Sequence, residues 1–444
     1  MPEIKNSSSI EEVLKYIVDS YGAEIYQDKQ RLSNLIADLY TGEERLKRLY
    51  RRMIMEDTVS QQLYSISLKP IQERENFYNQ LLFQFQEANF LEESFARQSL
   101  EVFVRGLHLL LKEPVSTNAT EEDGEWFDEY GVKYSADRKK LIRAPKILYG
   151  NYSVLDGTVV ICDFAFEGCK NLYEITLPVG IMSIGANAFW YCENMLVISL
   201  PSSVISIGNS AFSNCENLPE ILLPSSVVNI GEGGFRFCSN LCEITIPSSV
   251  MIIGEYAFDG CWNLCEIKVA ENNTTYSNID GVLYTKDLKT IICYPAGKMN
   301  ENFILPTEVM NIGESCFDSC INLHEITLSS SVTSIGEGAF RFCENLRKIT
   351  LPLGVTNIGA NAFFGCRSLC EITLPPTVMS VGETAFWHCE NLLVITLSSG
   401  ITGIEADSFL CCFNLQQINI PVGTFEIFKE LLPGYSHLLN ETDI

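Results

Sequence analysis

The chain has 444 residues, a formal net charge of −25 and 17 cysteines. That balance speaks against nucleic acid, whose phosphates need neutralising cations, and against docking on an anionic lipid surface. With 46% hydrophobic and 20% charged residues the chain is built to form a core. An odd cysteine count in so long a chain does not suit a compact disulfide framework.

Charge and cysteine divide the chain. Residues 1–120 hold 18 acids and 14 bases, so most of the excess acidity lies beyond them, as do all the cysteines. The first twenty residues, MPEIKNSSSIEEVLKYIVDS, contain no apolar run suited to a signal peptide, and no stretch is apolar enough to span a membrane. The expectation is a cytoplasmic protein with reduced thiols.

Residues 1–115 read as a helical domain. Ser8 with Glu11, and Ser9 with Glu12, have capping-box spacing ahead of IEEVLKYIVDSY, and Gly22 stops that helix. From Glu24 to Tyr40, Leu32, Leu35, Ile36 and Leu39 share one face. Thr41 with Glu44 opens a third helix, and longer helices are expected at 71–88 and 91–111, a set that suits a bundle. The basic cluster Arg45, Lys47, Arg48, Arg51 and Arg52 reads as a solvated face or as a patch for an acidic partner. Residues 116–130, including NATEEDGEWFDE, read as an acidic linker.

Beyond the linker the sequence repeats. Cys169, Cys192, Cys215, Cys238 and Cys261 are 23 residues apart, as are Cys320, Cys343, Cys366, Cys389 and Cys412. Around each lies A-F-x-x-C-x-N-L-x-x-I-x-L-P-x-x-V-x-x-I-G, as in Ala339 to Gly359. In Leu172, Ile175 and Leu177 the apolar side chains point inward along a short strand, Pro178 ends it, and V-x-x-I-G turns the chain on a permissive glycine. No coil buries its apolar edge alone, so stability comes from stacking on neighbours. The step from Cys261 to Cys320 carries 36 extra residues. Within them Gly281 to Pro295 aligns without a gap with Gly131 to Pro145. Each of these hairpin units precedes five coils. The solenoid is expected over 131–430, with PVGTFEIFKELLPGYSHLL opening a helical cap and tail at 421–444.

L-x-x-I-x-L-P with A-F-x-x-C resembles the BspA-like, or treponemal-class, leucine-rich repeat over residues 131–430. The resemblance implies a curved solenoid with a parallel sheet on its concave side; with the helical bundle, the ten 23-residue coils and the two hairpin units read above, the chain is expected to be α+β. The resemblance also implies binding of other proteins, often in surface adhesion. The main reading is a non-enzymatic protein-interaction module. The alternative is a cell-surface adhesin exported without a classical signal peptide.

No catalytic, cofactor or metal site is expected. The ladder cysteines read as small buried hydrophobes with a weak donor. The C-x3-C pairs Cys238/Cys242 and Cys261/Cys265 have spacing a zinc site could use, but Cys242 and Cys265 should point away from the ladder. Gly231 to Cys238 lacks the Lys-Ser/Thr of a phosphate loop. His108, His324, His388 and His437 fall in unrelated contexts.

The informative surface is the strand row. Five residues after each ladder cysteine stand Glu174, Val197, Glu220, Glu243, Glu266, Glu325, Lys348, Glu371, Val394 and Gln417. Seven after stand Thr176, Ser199, Leu222, Thr245, Lys268, Thr327, Thr350, Thr373, Thr396 and Asn419. Both rows alternate with inward Ile and Leu and should face out on the concave side. They could form an acidic, hydroxyl-lined groove for a protein partner with a basic or polar segment, or they could simply solubilise the sheet. Trp190, Tyr191, Phe237, Phe342, Phe364 and Trp387 follow the Ala-Phe step and stand as rim contacts or as packing under the next coil.

Overall fold

The structure is a computed structural model that describes residues 10–41, 44–55, 59–69, isolated positions between 74 and 104, 125–404 and 406–443. The chain divides into two compact units, one of 1–123 with 127–131 and the other of 124–126 with 132–444.

The first unit is helical. Ile10–Tyr21 ends at Gly22, whose φ is +79° and whose N–H donates to the Val18 carbonyl at 2.8 Å. The single helix expected from Glu24 to Tyr40 is two elements, the 3-10 turn Ala23–Gln27 and the helix Lys29–Leu39. Asp28 separates them because its carboxylate accepts from the Arg31 N–H at 3.0 Å and so starts a new helix. Leu32, Ile36 and Leu39 are buried as expected and Leu35 packs beside them. Glu44–Met55 carries the basic cluster, within which Arg51 donates to Ser33 Oγ at 3.1 Å. A further helix, Val59–Ser67, buries Val59, Leu63 and Ile66. The capping contacts of Ser8, Ser9 and Thr41, most of 71–88 and 91–111, and residues 116–124 of the expected linker lie outside the described residues.

The second unit is a solenoid of about 13 turns. Each coil buries the same set, as in Ala339, Phe340, Cys343, Leu346, Ile349, Val355 and Ile358. The phenylalanines stack in register: Phe166 on Phe189 at 5.1 Å between centroids and 7° between planes, Phe189 on Phe212 at 5.2 Å and 4°. Such offset stacking adds to the area each ring buries. Beside the rings runs the cysteine ladder. Within each block the thiols donate to the phenylalanine carbonyl 26 residues back, Cys238 to Phe212 at 3.1 Å and Cys343 to Phe317 at 3.0 Å, while the first thiol of each block reaches its hairpin unit, Cys169 to Pro145 and Cys320 to Tyr294. Burial pushes the Cys238 thiol up to about 12, so it is held as a protonated donor. Cysteine fits here because it is small, apolar and able to satisfy a buried carbonyl.

Two expectations about the coil change. The V-x-x-I-G segment is itself a strand: pairs such as Ser183–Ile184, Ser206–Ile207 and Asn229–Ile230 join parallel sheets of 8 and 7 strands. Its glycine serves clearance between coils. A Cβ on Gly231 would sit 2.5 Å from the Asn209 nitrogen, and the left-handed backbone instead falls two residues later, at Gly233 with φ +58°. The Glu/Thr strands, expected as one parallel sheet, form four: Tyr149–Ser153 to Val197–Ser199, Glu243–Ile246 with Glu266–Val269, Asn302–Ile304 to Lys348–Thr350, and Glu371–Thr373 onward. The first break falls at Pro219. In other coils the residue at this place donates to the coil before, Leu196 to Tyr173 at 2.8 Å and Cys265 to Cys242 at 2.8 Å, whereas proline has no N–H to give.

The two hairpin units have the same geometry. Lys133–Ser135 with Lys140–Arg143, and Val282–Thr285 with Thr290–Cys293, are antiparallel pairs with the same register slip, and the second strand of each pairs parallel with the next coil. Each hairpin thus starts a continuous sheet, and each sheet has its own core. Leu283 belongs to the core of the first block, Val282 and Tyr284 to that of the second, because successive strand residues face opposite sides. A buried charge cluster ties the blocks together. Arg341 Nη2 donates to both oxygens of Asp259 at 3.0 and 3.1 Å, its Nε to Asp318 at 2.6 Å, and Arg236 Nε to Asp259 at 2.7 Å. The Asp259 and Asp318 side chains are 0% and 4% exposed.

The segment expected as a helical cap contains the helix Phe425–Leu431 and the 3-10 turn Pro433–Leu438. It then adds a strand, Leu439–Thr442, that pairs parallel with Gln417–Pro421. Tyr435 closes the phenylalanine stack edge-on to Phe409 at 5.6 Å.

Replacing Cys238 by Ala should lower stability by about 1–2 kcal/mol, from one lost buried hydrogen bond and a small void, read by urea denaturation. A second outcome concerns pH. Burial and the neighbouring Asp259 push the Asp318 carboxyl up from 3.8 to about 7. Between those values the native chain keeps a proton that the unfolded chain has released, so this group's contribution to stability falls as pH rises, with its full cost above about 7. Melting curves of Asp318→Asn across that window should lose this slope relative to the wild type.

Candidate functional site

The two outward rows are in register from coil to coil. Glu174 pairs with Val197, Glu220 with Glu243, Glu243 with Glu266, Glu325 with Lys348 and Glu371 with Val394. In the second row Thr176 pairs with Ser199, Thr245 with Lys268, Thr327 with Thr350 and Thr373 with Thr396. Alternation carries Ile175, Ile244, Ile326 and Ile372 into the core and leaves these residues outside. Thr176, Thr245, Thr327, Thr350 and Thr373 are exposed, while Thr396 is half-buried and accepts from Asn419 at 3.2 Å.

The acidic row is less uniform than its composition. Lys268 Nζ lies 2.7 Å from Glu243 and 3.5 Å from Glu266, Lys348 lies 3.7 Å from Glu325, and Asn151 donates to Glu174 at 2.6 Å. Only Glu220 and Glu371 lack an ion pair or side-chain hydrogen bond among the described residues. Lys348 within the row and Lys268 in the neighbouring row, both visible as exceptions in the sequence, therefore partly neutralise it.

The aromatic cluster splits. Trp190 lies half-buried 4.9 Å from exposed Tyr191. Phe342 packs edge-on against Phe364 at 5.0 Å, and Trp387 against Phe364 at 5.2 Å and over His388 at 5.6 Å. Phe237 is half-buried with the Arg236 guanidinium 4.8 Å from its ring. Most of these side chains therefore contact their own chain. Cys242, Cys265 and Cys370 are exposed, and the thiols of Cys242 and Cys265 lie 3.3 Å from the carbonyls of Asn240 and Asn263. Among the described residues no three His, Cys, Asp or Glu are grouped to hold a metal ion.

Residues 159–281 and 299–437, more than half of the chain, match the BspA type leucine-rich repeat region in 6 copies. The chain belongs to the BspA-type leucine-rich-repeat family. Solved structures of the same fold include the pneumococcal vaccine antigen PcpA, 23% identical over 69% of this chain and 82% of that one, with a TM-score of 0.59. A leucine-rich cell surface protein of Faecalibacterium prausnitzii is 25% identical over 71% of this chain and 99% of its own, with a TM-score of 0.52. A leucine-rich repeat protein of Eubacterium ventriosum is 27% identical over 61% and 80%, with a TM-score of 0.52. A search of curated proteins gives no match.

Two features of this BspA-type solenoid were not read from the repeat pattern. The position just before the ladder cysteine is left-handed throughout, with φ +59° at Tyr191, +57° at Phe237, +56° at Phe342 and +70° at Gly260. Glycine there also makes room for the preceding coil's ring: a Cβ on Gly260 would lie 2.2 Å from Phe237, and one on Gly365 2.7 Å from Phe342. The signal was present as a Phe-then-Gly alternation at 23-residue spacing. The other feature is a cavity of about 230 Å³ at the block junction, lined by Ile253–Asp259, Ile292, Cys293 and Gly313–Ser315. Glu314 holds the Glu255 carboxyl above its usual range there.

Gly260→Ala should destabilise the chain. A double-mutant cycle with Phe237→Ala should return a favourable coupling of about 1–2 kcal/mol, because removing the ring removes the clash. Additive losses in urea titrations would contradict this packing.

Proposed function

We propose that the chain is an adhesin-like protein-interaction module, acting by binding and not by catalysis, and that the outward Glu/Thr face of the solenoid captures its partner. The observation that carries this is the separation of roles within each coil. Ile, Leu, Phe and Cys are spent on the stack, while the residues between them form in-register polar rows that the stack does not need. Like charges on neighbouring strands oppose pairing slightly, so Glu220 beside Glu243 is better accounted for by binding than by folding.

The cytoplasmic location expected from the first twenty residues has no support from the comparisons. A surface location is favoured, since a structural relative of the same fold is described as a cell surface protein. The partner class on this reading is a protein with a basic or polar segment, because unpaired carboxylates at Glu220 and Glu371 need cationic or donor groups opposite them.

Capture assays should show the full chain retaining a partner that the Glu220→Gln, Glu371→Gln double variant retains at least about tenfold more weakly, a loss of 1.4 kcal/mol or more. Equal retention would remove the sheet face from the proposal. Cell fractionation with labelling of the exposed thiols Cys242, Cys265 and Cys370 should place the protein in the surface fraction.

A further inference from the structure

The rows on the sheet face carry exposed apolar residues on two successive coils at one place. Where other coils carry Glu and Thr, the second and third coils of the first block carry Val197 and Leu222, 49% and 77% exposed, with Leu196 beside them at 41%. Single exposed apolar side chains are ordinary. These three occupy neighbouring coils on one outward face, together with exposed Pro219. The same spot breaks the sheet: Pro219 cannot donate to the Leu196 carbonyl, so that acceptor is left without the coil-to-coil bond its counterparts make. Glu220, one of the two partner-free carboxylates, lies next to it, with Glu174 one coil before the patch and Glu243 one coil after. Apolar surface, an open backbone acceptor and flanking carboxylates thus converge on a few residues.

We infer that Leu196, Val197, Pro219 and Leu222 form the anchor point of the sheet face. Its occupant is a protein segment that presents an apolar side chain flanked by Lys or Arg. This rests on the proposed binding role of that face and names the chemistry of its partner. The apolar side chain covers Val197 and Leu222. A flanking cation pairs with Glu220 and supplies a donor to the Leu196 carbonyl. Desolvated apolar contacts within a charged rim are the usual arrangement of a binding hot spot. Glu371 beside Val394 and the exposed Leu393 repeats the motif without a counterpart of Leu222, since Asn419 holds that place.

The test is selection of a displayed random-peptide library on the full chain, followed by fluorescence-polarisation titration of synthetic peptides carrying the recovered consensus. The consensus should contain an aliphatic or aromatic residue flanked by Lys or Arg. Affinity should fall at least about tenfold in Leu222→Lys and in Val197→Lys, and in raised salt, and should be unchanged in Met379→Lys, an exposed position just before the Ser380–Val381 strand of the other sheet. Both substituted side chains lie on the surface, and unchanged melting curves confirm that the variants fold. Peptides without basic residues, peptides that bind Leu222→Lys and Val197→Lys as well as wild type, or a library that yields no binder overturn the inference. Peptides lost in Glu371→Gln but kept in Leu222→Lys overturn the anchor and leave the sheet-face reading intact. Peptides indifferent to every sheet-face variant remove both.

Discussion

The solenoid depends on one requirement: each coil must place identical groups directly over those of its neighbour. The rise between paired strands is about 4.8 Å, and within it a phenylalanine ring must meet the next ring, and a thiol must meet the carbonyl of the coil before. That fixes the 23-residue period, because one residue more or fewer would turn the cysteine away from its acceptor. It also explains the glycine that closes V-x-x-I-G in most coils, as at Gly231 and Gly359, where the backbone of the preceding coil lies too close for a Cβ. The 23-residue period itself is broken once, where a hairpin supplies a fresh starting strand and the extra 36 residues fall.

This division of labour frees the remaining positions. Because the stack is complete without them, the outward rows can change sign, size and polarity from coil to coil at little cost to folding. The lysines at 268 and 348 use that freedom to neutralise adjacent glutamates, and Pro219 uses it to open the sheet. The family relationship concerns the stack; what a given member binds is written in the rows.

Much of this was legible because it is periodic. The cysteine spacing gave the coils, the alternation of Ile and Leu gave the inward face, and the match of Gly131 to Pro145 with Gly281 to Pro295 anticipated two hairpins of like register. The outward placement of Glu243 or Thr327 followed from strand geometry alone. What escaped was aperiodic or distant. Asp28 splits a helix through one side-chain bond. Val59–Ser67 was hidden by its serines and β-branched residues, which are weak helix formers. The link between Arg341 and Asp259 spans 82 residues and depends on how the two blocks meet, which no local pattern records. The break of the sheet at Pro219 needed the observation that a single missing N–H interrupts a ladder.

The block junction has a mechanical consequence. Within either block the coils are fastened by a continuous ladder of the short Ser/Asn-Ile strands, by a ring stack and by a row of thiol bonds, with the Glu/Thr ladder added wherever it is unbroken. At the junction the strand ladders of both faces end, and Arg341 spans the gap to Asp259. Tension applied between the ends would therefore be carried there by aperiodic contacts: the Arg341 cluster, Leu283 seated in the first core, and the Gly297 N–H donating to the Leu264 carbonyl at 2.8 Å. Each block keeps a core of its own on either side of that point.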